Sequence, residues 1–171
     1  MMTIDQAKLL QLIGRYKKDF NKYIDRERYK WEAVKCFQDN WDLDAENFAE
    51  MLSRSLAKTY NLLGSVNNYP RRMIKKYADS YENEVRTLFR NLFEESNSLT
   101  ERIVNFKNGI LSIHKQWDTD GSKNHYQTFN VISTYLWLRY PDKYYIYKET
   151  EIIALFKELG VEIKLRSKGV D

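Results

Sequence analysis

The sequence predicts a mainly α protein: one multi-helix module over residues 1–171, with at most a small two-stranded β ribbon near the C-terminus. Three observations predict it. Apolar residues recur at i, i+3, i+4 and i+7 along most of the chain, the period of a helix with one buried face. Only 6 glycines and 2 prolines punctuate 171 residues, so long regular elements are favoured over tight turns. Two capping boxes, Thr3-Ile-Asp-Gln6 and Ser98-Leu-Thr-Glu101, stand directly before such apolar stripes.

The first box opens a helix whose stripe is Leu9, Leu12, Ile13, Tyr16 and Phe20, with Lys17, Lys18 and Lys22 on the charged face. A second helix fits residues 28–41, with Trp31, Val34, Phe37 and Trp41 on one side. Asp44 is placed to cap a third that carries Phe48, Met51, Leu52 and Leu56 inward, and Gly64 to close that unit. Pro70 suits the first turn of a fourth helix, with Ile74, Tyr77 and Ala78 facing in. Val85, Leu88, Phe89, Leu92 and Phe93 define a fifth.

The Ser98 box leads Ile103, Phe106, Ile110 and Ile113 towards Trp117, and residues 117–123 read as a loop. A helix over 125–140 follows. It places Phe129, Ile132 and Leu136 on one side and Val131, Tyr135 and Leu138 on others, so it is expected to be central and buried. Pro141-Asp142 stops it. Residues 144–147 are strand-like. Ile152, Leu155, Phe156 and Leu159 make a last helix closed by Gly160, and residues 161–165 could pair as a second short strand.

Composition narrows the function classes. The chain is 43% hydrophobic and 30% charged, as expected of a soluble globular protein. No apolar run approaches the ~18 residues of a membrane span, and no signal peptide opens the chain. Cys36 is the one cysteine, so no disulfide framework can form, and a reducing cytoplasm is the expected location. It is expected as a buried thiol. The net charge of +4 hints at an acidic partner, nucleic acid above all.

Several chemistries lack their residues. No Gly-x-x-x-x-Gly-Lys-Ser/Thr loop and no dinucleotide fingerprint occur. One cysteine with His114 and His125 cannot build a structural zinc site. Asp118-Thr-Asp-Gly121 begins like a calcium loop, but position twelve is Phe129 where a bidentate Glu is needed. No cofactor is therefore expected in this segment.

Asp142 after Pro141, with Glu162-Ile-Lys164 twenty residues on, spells a divalent-metal nuclease signature in which two acids hold the metal and the lysine assists the attacking oxygen. A helix separates the two halves, where that signature ordinarily runs strand to strand. Pro141-Asp142 is also sufficient as a helix stop. Asp142, Glu162 and Lys164 are therefore a third reading, behind two non-catalytic ones.

The basic residues carry the first. Arg71/Lys75 and Arg72/Lys76 are i, i+4 pairs of like charge, and Arg86/Arg90 repeat the spacing. Such pairs repel by a few tenths of a kcal/mol unless an anion compensates. Phosphates would do so, with Tyr69 adding stacking, while Asp79, Glu82 and Glu84 are the internal alternative. The aromatic cluster of Tyr126, Tyr135, Trp137, Tyr140, Tyr144, Tyr145 and Tyr147 is either core with polar tips or a slot for a base.

Three segments are also familiar as a set: Tyr29-Lys-Trp-Glu-Ala-Val-Lys-Cys-Phe-Gln-Asp-Asn-Trp41, Phe48-Ala-Glu-Met-Leu52, and the aromatic string from His125 to Lys148. Over roughly residues 27–150 the chain resembles the front module of McrB-like proteins, the AAA-type GTPase subunits of restriction systems that cut DNA carrying modified cytosine. The resemblance implies a module that reads DNA, ahead of a GTP-hydrolysing motor, with the nuclease on a separate subunit. This chain lacks the motor, so no GTPase residue carries over, and its charged tail fits a piece of a longer protein.

The expectation is thus a non-catalytic DNA-recognition module. Arg71, Arg72, Lys75, Lys76, Arg86 and Arg90 would hold phosphates, and Tyr140, Lys143 and Tyr144 would sit at a base or the backbone. The alternative is a module that docks onto the motor or another protein of the same defence complex through its aromatic surface.

Overall fold

The computed structural model describes residues 4–64, 69–118, 121 and 124–161. Among these it contains eight helices and no strand: α1 (Gln6–Asn40), α2 (Phe48–Ser55), α3 (Tyr60–Leu63), α4 (Tyr69–Ser80), α5 (Glu82–Phe93), α6 (Leu99–Trp117), α7 (Phe129–Arg139) and α8 (Glu149–Glu158). The fold is mainly α. Residues 144–148 form no strand with any described residue, and of the second expected strand only Val161 lies among the described residues. No described helix is long and apolar enough to cross a membrane.

Contacts divide the chain into two compact units, residues 28–146 and residues 1–27 with 147–171. The larger holds the main core. Its centre is α7, in which every residue from Val131 to Leu138 is buried, as its all-round apolar sequence requires. Phe89 of α5 is the hub of an aromatic lattice, with ring centroids 5.1 Å from Phe106, 5.1 Å from Tyr135 and 5.2 Å from Trp41. The edge-on geometry suits aromatic quadrupoles and adds to the burial itself. Where α5 meets α6, Gly109 lets the helices close: a Cβ there would lie 2.3 Å from Leu88 Cδ2.

Several boundaries differ from the sequence expectation. The first two helices are one, because residues 21–28 contain no breaker and Lys22 pairs with Asp19 at i, i+3. Thr3 lies outside the described residues, and Asp5 caps α1, its Oδ1 accepting from the Lys8 amide at 3.0 Å. Asn47, not Asp44, caps α2 by accepting from the Glu50 amide. Ser98 caps α6 as expected, accepting from the Glu101 amide while bonding its carboxylate.

Helix α7 begins four residues later than its apolar pattern suggests, and Phe129 is 49% exposed. Residues 124–128 are held out of the helix by buried Gln127, which donates to the Pro70 carbonyl and accepts from the Tyr135 hydroxyl. In the smaller unit, α8 ends in a Schellman motif. Gly160 has φ +74, its amide donates to the Lys157 carbonyl, and the Val161 amide reaches back to Phe156. Val161 and Leu159 are buried there, whereas Leu155 faces solvent.

Candidate nucleic-acid interface

Helix α4 sorts its side chains by face. Met73, Ile74, Tyr77 and Ala78 are buried. Tyr69, Arg72 and Lys76 follow at i, i+3 and i+7 and therefore share another face. Tyr69 stacks on Tyr126, with centroids 4.7 Å apart and planes at 12°. Lys76 Nζ lies 5.2 Å from the centre of the Trp117 ring. Between them Arg72 is exposed and has no ion pair among the described residues. An uncommitted arginine thus shares a helix face with two residues that contact aromatic rings.

Tyr126 is in the left-handed region at φ 57, which is uncommon for a bulky residue. Its amide donates to Asn124 Oδ1, and the Gln127 amide donates to His125 Nδ1 at 3.0 Å. Together with the buried Gln127 side chain, these bonds hold the strained backbone and fix the Tyr126 ring. Such strain persists only where the surroundings over-determine it.

The other expected phosphate ligands have internal partners. Arg71 donates to the Leu56 and Ala57 carbonyls and so satisfies the end of α2. Lys75 pairs with Asp79 at 2.7 Å. Arg86 donates at 2.8 Å to the Leu43 and Ala45 carbonyls and to Glu82, and stands over the Phe48 ring. Arg90 reaches Asp44 at 3.3 Å. Of six cations on two helices, Arg72 and Lys76 are the two not taken up by a carbonyl or a carboxylate among the described residues.

The turn after α7 brings Tyr140, Lys143 and Tyr144 together. The Tyr140 hydroxyl donates to the Phe93 carbonyl, and its ring lies beneath Arg139 and Lys143, at 5.1 and 5.6 Å. Lys143 Nζ donates to Glu95 Oε2 at 2.6 Å, and the Tyr144 hydroxyl donates to Glu95 Oε1 at 3.0 Å. The Lys143 hydrogen bond, helped by Tyr144, holds the Glu95 carboxyl below its ordinary 4.5. The same bond raises the Lys143 ammonium. Behind them Arg102, 4% exposed, donates to the Leu92 carbonyl and to the Tyr144 hydroxyl.

Sequence reasoning missed Arg102 and Glu95. Arg102 was detectable as a cation falling on the apolar stripe of Ile103, Phe106 and Ile110. Glu95 carried no local signal. Asp142 is exposed on the same turn, while Glu162 and Lys164 lie outside the described residues. Among the described residues no three His, Cys, Asp or Glu side chains converge as metal ligands.

Both histidines are packed near the α4 face. His114 Nδ1 is 2.8 Å from the buried Tyr77 hydroxyl, and its Nε2 is 3.9 Å from Asp118. Burial first, then the Asp118 charge, pushes the Tyr77 phenol far above its usual value. His114 is itself buried, so this arrangement anchors the core. His125, half-buried, is held below its ordinary 6.5 by burial, His114 and Lys107. Cys36 is half-buried, with Sγ 3.4 Å from the Arg54 carbonyl.

In the smaller unit a cavity of about 400 Å³ is lined by Lys8, Gln11, Arg15, Lys18 and Glu158, with Arg15 paired to Glu158 at 2.9 Å. Comparison with protein families, with curated proteins and with solved structures finds no match to this chain.

Proposed function

We propose that this chain binds DNA through the α4 face, without catalysing a reaction itself. The observation that carries the reading is Arg72, exposed and uncommitted on the helix face that carries the Tyr69–Tyr126 stack and the Lys76–Trp117 pair. A guanidinium and an ammonium about one turn of helix apart suit successive phosphates, and fixed aromatic faces beside them suit a base. Phosphate contacts position a strand without selecting its sequence, so any base choice falls to the Tyr69–Tyr126 side. The wider assignment, the DNA-reading module of a modified-cytosine restriction complex with an AAA motor and a nuclease subunit, rests on the resemblance of residues 29–41, 48–52 and 125–148.

Fluorescence anisotropy tests it, with plain and cytosine-methylated duplexes at low and moderate salt. Binding is expected to weaken steeply with salt, and the variant carrying Arg72→Glu and Lys76→Glu to lose roughly two counterions from the salt dependence. No binding at low salt, or equal binding by the double variant, overturns the reading.

A second reading, docking onto a protein partner of the same complex, is favoured by α1. Tyr16, Phe20, Tyr23 and Ile24 are all exposed along its first half. Docking through such aromatic and aliphatic groups would persist at moderate salt and fall with Tyr16→Ala.

A further inference from the structure

The Glu95 carboxylate is held in an unusual way. Its two oxygens are taken by separate donors, Oε2 by Lys143 Nζ and Oε1 by the Tyr144 hydroxyl. That hydroxyl accepts in turn from Arg102 Nη2 at 2.7 Å, and the Arg102 guanidinium lies 5.6 Å from the Tyr144 ring centre. Arg102 is nine-tenths buried or more, has no carboxylate bonded to it among the described residues, and its buried Nε has no partner. A buried cation without a directly bonded counter-charge favours an anion close by. Through the hydroxyl, its charge makes Tyr144 a stronger donor to whatever anion occupies the front.

We propose that Lys143, Tyr144 and Arg102 form a phosphate subsite for a nucleic-acid strand, which Glu95 occupies as an internal stand-in until a phosphodiester displaces it. The two non-bridging oxygens of a phosphodiester reproduce the two-oxygen pattern of the carboxylate. Nucleic acid is favoured over an acidic peptide by the next residue. In the segment 144–146, Tyr144 and Ile146 pack inward while Tyr145 points out, 79% exposed, as a free stacking face beside the subsite. Glu95 sits on the exposed 94–98 connection between α5 and α6, so it can swing away without disturbing either helix. Once it leaves, Lys143 Nζ and the Tyr144 hydroxyl face the strand, with Arg102 behind them and Glu94 the remaining nearby acid.

The inference takes the class of ligand from the DNA-binding reading but uses different residues, so the two fail separately. The test is anisotropy on the full chain with a labelled oligo-dT strand and the labelled duplex, comparing wild type, Glu95→Gln, and Glu95→Gln with Lys143→Gln. Thermal melts confirm that each is folded. Glu95→Gln is expected to tighten oligo-dT binding about two- to fivefold, the effect of removing one competing exposed ion pair. Adding Lys143→Gln is expected to cancel the gain, and inorganic phosphate to compete better against Glu95→Gln than against wild type.

Equal or weaker oligo-dT binding by folded Glu95→Gln overturns the subsite. A gain for poly-glutamate in place of oligo-dT overturns the nucleic-acid assignment in favour of an acidic peptide. If wild type binds duplex in a manner lost with Arg72→Glu/Lys76→Glu while Glu95→Gln changes nothing, the α4 reading stands and the subsite falls. If only Glu95→Gln binds, the reverse holds.

Discussion

Replacing Arg86 with alanine separates the two roles that a basic side chain on α5 can play. In the structure its guanidinium is a clamp. Nη1 donates to the Leu43 and Ala45 carbonyls at 2.8 Å each, and Nη2 to Glu82 at 2.8 Å, with the Phe48 ring 5.0 Å below. Truncation strands two partly buried carbonyls, each worth roughly 1 kcal/mol once partial hydration is allowed for. Loss of the cation from the Phe48 face adds about 0.5–1 kcal/mol. Glu82, one-third exposed, adds little. The total is roughly 3 kcal/mol. For a chain of 171 residues that lowers Tm by about 6–12 °C. Differential scanning calorimetry reads this directly. Arg72→Ala, which strands nothing, is expected to leave Tm within about 2 °C. DNA titration of the same proteins below their melting temperatures is expected to show the opposite order, with Arg72→Ala weakened and Arg86→Ala unchanged. An Arg86→Ala protein that melts with wild type and has lost DNA affinity would refute the clamp and make Arg86 a phosphate ligand.

Two further predictions test the packing. Gly109→Ala sets a helix-propensity gain of about 1 kcal/mol against over-packing of about 1–3 kcal/mol on Leu88, so Tm is expected to fall by a few degrees. In a Leu88→Ala background the same change is expected to raise Tm, and a fall there would show that α5 and α6 do not close on this glycine. His125 supplies a pH dependence. Its folded-state pKa lies below the ordinary 6.5, so the unfolded chain binds the extra proton first. Stability is therefore expected to be fully present above pH 6.5 and to decline as pH falls through the folded value. Protonation also ends the bond from the Gln127 amide. Melts from pH 7.5 to 5 should show that slope in wild type and a shallower one in His125→Asn; identical slopes would remove His125 as its source.

What the sequence determined by itself is what a helix encodes within one or two turns. The stripe of α5, the Ser98 capping box, Pro70 at the start of α4 and the burial of α7 all follow from spacing, because backbone geometry places i, i+3 and i+4 on one face whatever surrounds them. The alternation of residues 144–146 was legible in the same way, although it forms no strand with any described residue. Boundaries were less legible. The start of α7 depends on Gln127 finding Pro70, 57 residues away in sequence.

Tertiary structure alone decided what each long cation is for. Arg71, Arg72, Lys75 and Lys76 look alike in a helical projection, as do Arg86 and Arg90. Whether a flexible side chain meets a carbonyl, a carboxylate or solvent depends on which helix end or loop arrives within its reach. For Arg86 those groups come from 41 and 43 residues away, and for Arg90 from 46. The same holds at the turn after α7, where Glu95 meets Lys143 across 48 residues and buried Arg102 meets Tyr144 across 42. Periodicity carries no information about such meetings, because side-chain hydrogen bonds of this kind are set by how the helices pack and not by the helices themselves.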